Sequence, residues 1–252
     1  MSTIPFIHNY CDRWCEKCRF VQQCAVGLEE TRMTEDQKNI NKEAFWSNIS
    51  DQFTKAKTLL EKYIAENDIA KNEFGNQEVE HKHQKKKKRV TDDIIAQLSK
   101  SYITIADKID LTDLFKFYKT ELEKNMSIGI ISQVSFMDEL QKIKDSIDTI
   151  NWFKYFIHVK LVRAISSRED NDENDLQSDH NGSAKIVLLA IESSIGAWHS
   201  LYDVAEDRKE VILDVMALLS KLRRLTNETF PEAMQFVRPG FDDGWEAIWE
   251  VD

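Results

Sequence analysis

The chain has 252 residues, 42% hydrophobic and 31% charged, enough apolar material for one large core or two modest ones. Its formal net charge of -10 argues against general binding to nucleic acid or to anionic membranes and leaves only local basic patches for such work. Three prolines and seven glycines are few breakers for this length and favour long helices over a many-stranded sheet.

The first residues, Met1 to His8, lack the basic-then-apolar pattern of a secretory leader. The most apolar run, Ile186 to Ile195, is too short to span a bilayer and carries Glu192. The expected compartment is the reducing cytoplasm, where clustered cysteines serve as metal ligands more often than as disulfides.

All four cysteines fall between Cys11 and Cys24, spaced C-x3-C-x2-C-x5-C. On a helical turn Cys11, Cys15 and Cys18 share one face, and Cys24 reaches the same ion if the chain folds back after Cys18. The cluster points to one site of four thiolates, holding either an iron–sulfur cluster or zinc. His8, three residues before Cys11, is a possible additional ligand. Arg13, Lys17 and Arg19 interleave with the thiols and would offset their negative charge.

The portion Cys15-x2-Cys18-x5-Cys24 resembles the iron–sulfur loop of the endonuclease III family of DNA glycosylases, which has a longer gap before it, C-x6-C. Cys11-x3-Cys15-x2-Cys18 is similar to the cluster motif of radical SAM enzymes. Both resemblances stay within residues 11–24. They imply a cluster, but this chain lacks the glycosylase helix-hairpin-helix loop and the barrel pattern of the radical enzymes.

Residues 25–33 read as a connector. Thr34-Glu35-Asp36-Gln37 has the form of a capping box, and the stripe Phe45, Ile49, Phe53, Ala56, Leu60, Tyr63 predicts one helix from there to about Asn67. Residues 69–90 lose the pattern and end in the basic stretch 82–89, a loop. His81 and His83 with Glu78 or Glu80 offer adventitious metal donors there.

Thr91-Asp92-Asp93 predicts the next helix start, and Asp110 another. Residues 125–134 are a break around Gly129, and Ser135 is expected to cap a long helix whose segment 152–165 is apolar on most faces, hence central in the bundle. Residues 168–182 read as a second loop, acidic over 169–179 and closed by an Asn181-Gly182 turn, with Ser183 capping the helix that follows. A last long helix is expected over about 207–227. Asp242-Asp243-Gly244 then makes a turn with Trp245 and Trp249 as anchors.

The expected architecture is all-α: a helical bundle of five to seven helices over 34–252, preceded by a cysteine-rich metal-binding segment over 1–33. Glu192 and His199 lie near one face of an apolar helix and invite a polar pocket with His158 on the central helix. The plainer expectation is a buried Glu192 paired with Arg163, Lys160 or His158. Nucleotide-binding and hydrolase motifs are absent from the sequence.

The leading expectation is therefore a metal-binding cytoplasmic protein with a structural or electron-transferring site. One alternative is a redox or metal-dependent enzyme built on His158 and Glu192. Another is an adaptor recruiting protein partners through the basic loop 82–89 or the acidic loop 169–179.

Overall fold

The computed structural model describes residues 3–66, 90, 93–168 and 175–249, and every regular element among them is helical. The basic stretch 82–89, the His81 and His83 donors and the acidic residues 169–174 lie outside the described residues. The chain divides into two compact units, one drawn from Met1–Ile4 and Cys15–Lys87, the other from Pro5–Trp14 and Lys88–Asp252.

The first unit holds α1 (Ala25–Arg32), α2 (Glu35–Lys38) and α3 (Glu43–Glu66). The predicted connector over 25–33 is instead mostly helix, capped by Cys24. The Thr34 capping box forms as the sequence predicts, with the Gln37 amide donating to Thr34 Oγ1 and the Gln37 side chain accepting from the Thr34 amide. The single long helix expected after it is broken at Asn39, whose Oδ1 accepts the Asn41 amide at 3.0 Å. That local bond competes with the helical ladder and resets the chain before α3.

The second unit contains α4 (Ile94–Ala106), α5 (Leu111–Ser127), α6 (Gln133–Arg168), α7 (Asp179–Tyr202) and α8 (Lys209–Thr229). Asp93 and Asp110 cap α4 and α5 through the Ile95 and Asp113 amides, both at 2.9 Å. α5 ends where Gly129 adopts a φ of +75°, a conformation that costs glycine nothing. The cap of α6 is Ser132 rather than Ser135, since Ser132 Oγ accepts the Ser135 amide.

α7 packs on α6 and α8, and α4 lies against α6 and α8. Their core joins Ile95, Tyr102, Ile150, Ile157, Leu161, Val187, Ile191, Trp198, Val215 and Leu222, all at most 1% exposed. Trp198 Nε1 donates to Tyr102 Oη, giving the buried indole its partner.

Two expectations about α6 and α7 are corrected. The central helix is α7, buried continuously over 180–188, whereas α6 leaves Tyr155 and Val159 exposed. And α7 begins at Asp179 after Ser178, not at Ser183. Asn181-Gly182 is helix rather than turn because the glycine is there for space. A Cβ at Gly182 would stand 2.5 Å from the Tyr10 ring and 2.7 Å from that of Phe236.

Candidate metal centre

Cys11 belongs to the second unit, in a segment (5–14) pinned to α6 and α7. Tyr10 lies on Gly182, packs with its ring tilted against the buried Phe236 ring at 4.6 Å between centroids, and donates its hydroxyl to Asp179. Lys160 donates to the Asn9 carbonyl at 2.9 Å, and Trp152 Nε1 donates to the Asp12 carbonyl at 2.9 Å. Trp14 stacks on Trp152 at 5.1 Å with the rings nearly parallel.

Phe6 and Arg13 both sit in the left-handed region, at φ 56° and 62°, so strained backbone flanks Cys11 on each side. The Cys11 thiol is 8% exposed and points at the His8 carbonyl, 3.6 Å away.

Burial pushes the Cys11 thiol up from its ordinary value, and the charges of Arg13 and Lys160 pull the other way. Lys160, itself 8% exposed, is brought down to about 8 by burial and by the neighbouring Arg163 charge, while Cys11 favours its charged form. The His8 imidazole is lowered by burial and by Arg13 and Lys160. A neutral imidazole is the form that ligates metal.

In the first unit, the Cys18 amide donates to the Cys15 carbonyl and the Val21 amide to that of Cys18, a tight succession of single turns. The Phe20 amide donates to Cys18 Sγ and the Gly27 amide to Cys24 Sγ, each at 3.4 Å. Cys24 is 7% exposed and is the N-cap of α1. Backbone amides directed at sulfur are the bonds that stabilise a thiolate and tune a cluster. Ile4 ties this turn down by donating its amide to the Gln23 carbonyl at 2.8 Å.

No disulfide joins any of the four cysteines. Among the described residues, no three His, Cys, Asp or Glu side chains are gathered as a set of metal donors.

The polar residues expected between the helices do not converge. His158 Nδ1 is 2.7 Å from Ser99 Oγ on α4, and burial, then the Lys100 charge, lowers its pKa. Glu192 is half-exposed and pairs with Arg223 on α8 at 2.7 Å, not with Arg163, Lys160 or His158. His199 is largely exposed, 3.8 Å from Asp203 one turn on.

Arg163 instead clamps Asp179 with two guanidinium hydrogen bonds. Burial opposes ionisation of Asp179, but Arg163 and the Tyr10 hydroxyl outweigh it and hold the carboxyl below its usual range. Asp179, placed in the acidic loop by its sequence neighbours, is thus a first-turn residue of α7.

Lys160, Arg163 and Tyr10 are the residues sequence reasoning missed around Cys11. The one available signal was the glycine at 182, just ahead of the apolar run that begins at Ile186, since a glycine marks a close approach as well as a turn. No model of a known protein family, no curated protein and no solved structure matches the chain. Among the described residues, no helix is long and apolar enough to cross a membrane.

Proposed function

We propose that this is a metal-binding helical protein of the reducing cytoplasm in which Cys11, Cys15, Cys18 and Cys24 hold one iron–sulfur cluster or one zinc ion, in a structural or electron-carrying role. The observation that carries the reading is the clustering itself: every thiol of the chain lies between residues 11 and 24. The amides directed at the sulfurs of Cys18 and Cys24 support it. Four thiolates around a divalent ion leave a net negative site, which Lys160 and Arg13 would offset. Binding to such a short run is coupled to local folding, so the ligands gather as the metal arrives.

Anaerobic purification followed by a visible spectrum and analysis of iron, labile sulfide and zinc tests the proposal. A brown protein with labile sulfide identifies the cluster, and a colourless one with stoichiometric zinc identifies the zinc site. Absence of both metals, together with unchanged stability after Cys11→Ser, refutes the reading.

A further inference from the structure

α3 turns its polar face to its own unit and leaves its apolar face in solvent. A cleft between α3 and the pair α1 and α2 is lined on the α3 side by Ala44, Ser47, Asn48, Asp51, Gln52 and Lys55. The other side of the helix carries Trp46, Phe53, Leu59, Leu60 and Tyr63, each between 56% and 73% exposed. An amphipathic helix normally docks by its apolar stripe, so this reversal calls for something to cover the stripe.

The stripe has a period of seven residues. Trp46, Phe53 and Leu60 stand seven apart, and Ile49, Ala56 and Tyr63 follow each of them by three. Alternating steps of three and four are the a and d positions of a coiled coil, the spacing that keeps one seam against a second helix. A membrane surface asks for something different, a polar face rich in Lys and Arg. α3 carries four acids and three bases. That near-neutrality also lets two copies of a chain of net charge -10 meet along this helix with little local repulsion.

The order of side-chain sizes fits a second copy of α3 running the opposite way. About a twofold axis between residues 54 and 55, Trp46 faces the partner's Tyr63, Ile49 faces the partner's Leu60, and Phe53 faces the partner's Ala56. A twofold contact repeats each of these pairs in reverse. Large then meets small at the centre, and two aromatics meet at each end. Parallel copies would set Phe53 on Phe53 and Ala56 on Ala56, a bulge beside a gap. The area is sufficient: the exposed parts of the three aromatics and two leucines come to about 600 Å² per copy, or about 1,200 Å² for two, the lower bound of stable specific interfaces. Trp46 is already fixed in place, since its Nε1 donates to the Ile40 carbonyl at 3.0 Å and its ring meets Phe45 edge-on.

We propose that the protein is a homodimer joined by an antiparallel coiled coil of two α3 helices, with Phe53 and Ala56 of each copy interlocked at its centre.

Sedimentation equilibrium of the full chain in reducing buffer tests the proposal. The expected mass is twice the 29.4 kDa of the chain. Phe53→Glu places a charge at the centre of the seam twice over and is expected to weaken the dimer about a hundredfold or more. Thr58→Glu adds the same charge at an exposed position off the seam and is expected to leave the dimer intact. Both positions are exposed, so unchanged circular dichroism separates lost association from lost folding. A photo-crosslinker, p-benzoylphenylalanine in place of Trp46, is then activated in a mixture of nitrogen-14 and nitrogen-15 copies. Mixed-isotope products joining position 46 to the peptide that contains Tyr63 are expected. A monomer at concentrations on the order of 100 μM, well above the micromolar limit of interfaces of adequate size, overturns the dimer. A dimer that survives Phe53→Glu overturns the seam. Crosslinks within one copy alone assign the stripe to a segment of the same chain, and crosslinks from 46 to 46 overturn the antiparallel pairing. None of these readouts requires a metal at the cysteines, so the metal reading and this one stand or fall separately.

Discussion

Gly182→Ala sets two effects of opposite sign against each other. In an unobstructed helix interior the change stabilises by about 0.5–1 kcal/mol, because alanine loses less chain entropy than glycine on folding. Here the new Cβ would stand 2.5 Å and 2.6 Å from two carbons of the Tyr10 ring and 2.7 Å from Phe236 Cζ. Ordinary contact begins about 1 Å further out, so two buried rings must shift by that much at once. Overpacking of this kind costs about 1–3 kcal/mol, which outweighs the propensity gain and leaves a net loss of about 1–2 kcal/mol.

The loss has a ceiling, because the chain can relieve the clash by releasing residues 5–14 from α7. Urea unfolding reads the stability. The rate at which iodoacetamide alkylates Cys11, 8% exposed while the segment is docked, reads the release. Gly196→Ala on the same helix is the control: a Cβ there meets nothing within 4 Å, and the variant is expected to gain the full propensity term, about 0.5–1 kcal/mol. If Gly182→Ala matched Gly196→Ala in stability and left Cys11 protected, the account of how α7 receives the N-terminal segment would be refuted.

Burial opposes ionisation of Asp242, yet hydrogen bonds from Arg238 and Lys185 hold its carboxyl at about 2, against 3.8 ordinarily. The unfolded state therefore binds the extra proton between these values. The stabilisation, about 1 kcal/mol once solvent screening of this partly exposed pair is allowed for, is complete above roughly pH 5 and lost as pH falls through about 4 to about 2. Asp242→Asn should flatten this acid limb in urea titrations run at successive pH values, and an unaltered limb would assign it to other carboxylates. Trp152→Phe keeps a ring for Trp14 to stack on but removes the donor to the Asp12 carbonyl. It should cost about 1 kcal/mol, visible as roughly fivefold faster amide exchange over 12–14. Asp110→Ala removes the cap of α5 and should cost about 1 kcal/mol in the same unfolding assay. Asn39→Ala deletes the bond that separates α2 from α3, and far-ultraviolet circular dichroism should report increased helicity.

The caps at Thr34 and Asp110 were legible because each bonds an amide three residues away; at 91–93 the start was legible but its cap was expected at Thr91, which lies outside the described residues, and it is Asp93 that bonds the Ile95 amide. The start of α7 was misread because Asn181-Gly182 has the local chemistry of a turn, and the rings that override it belong to residues 10 and 236. The centrality of α7 over α6 follows from the same fact. Both sequences are apolar, and only the arrival of the tail and the N-terminal segment decides that the first half of α7, residues 180–188, is covered on every side. For the candidate metal centre, the thiols and their spacing were plain in the sequence. What holds Cys11 was not: Lys160 meets Asn9 across 151 residues of chain and Tyr10 meets Asp179 across 169, separations at which no local pattern carries information. Glu192 was misjudged for a related reason: its half-exposed place beside α8, where it meets Arg223, is set by how the helices pack and not by the apolar residues next to it in sequence.

The bonds from Lys160 and Trp152 that fasten the N-terminal segment end on main-chain oxygens, those of Asn9 and Asp12. A carbonyl is the same whatever side chain its residue bears. The burden of recognition in this dock is therefore unequal. The long helix that receives the segment must keep a lysine and an indole at fixed places, while position 9 is free to drift to other residues without loosening its bond. Mutational freedom and mechanical importance are thereby separated: the segment that carries Cys11 is held firmly by groups that cannot be altered in it.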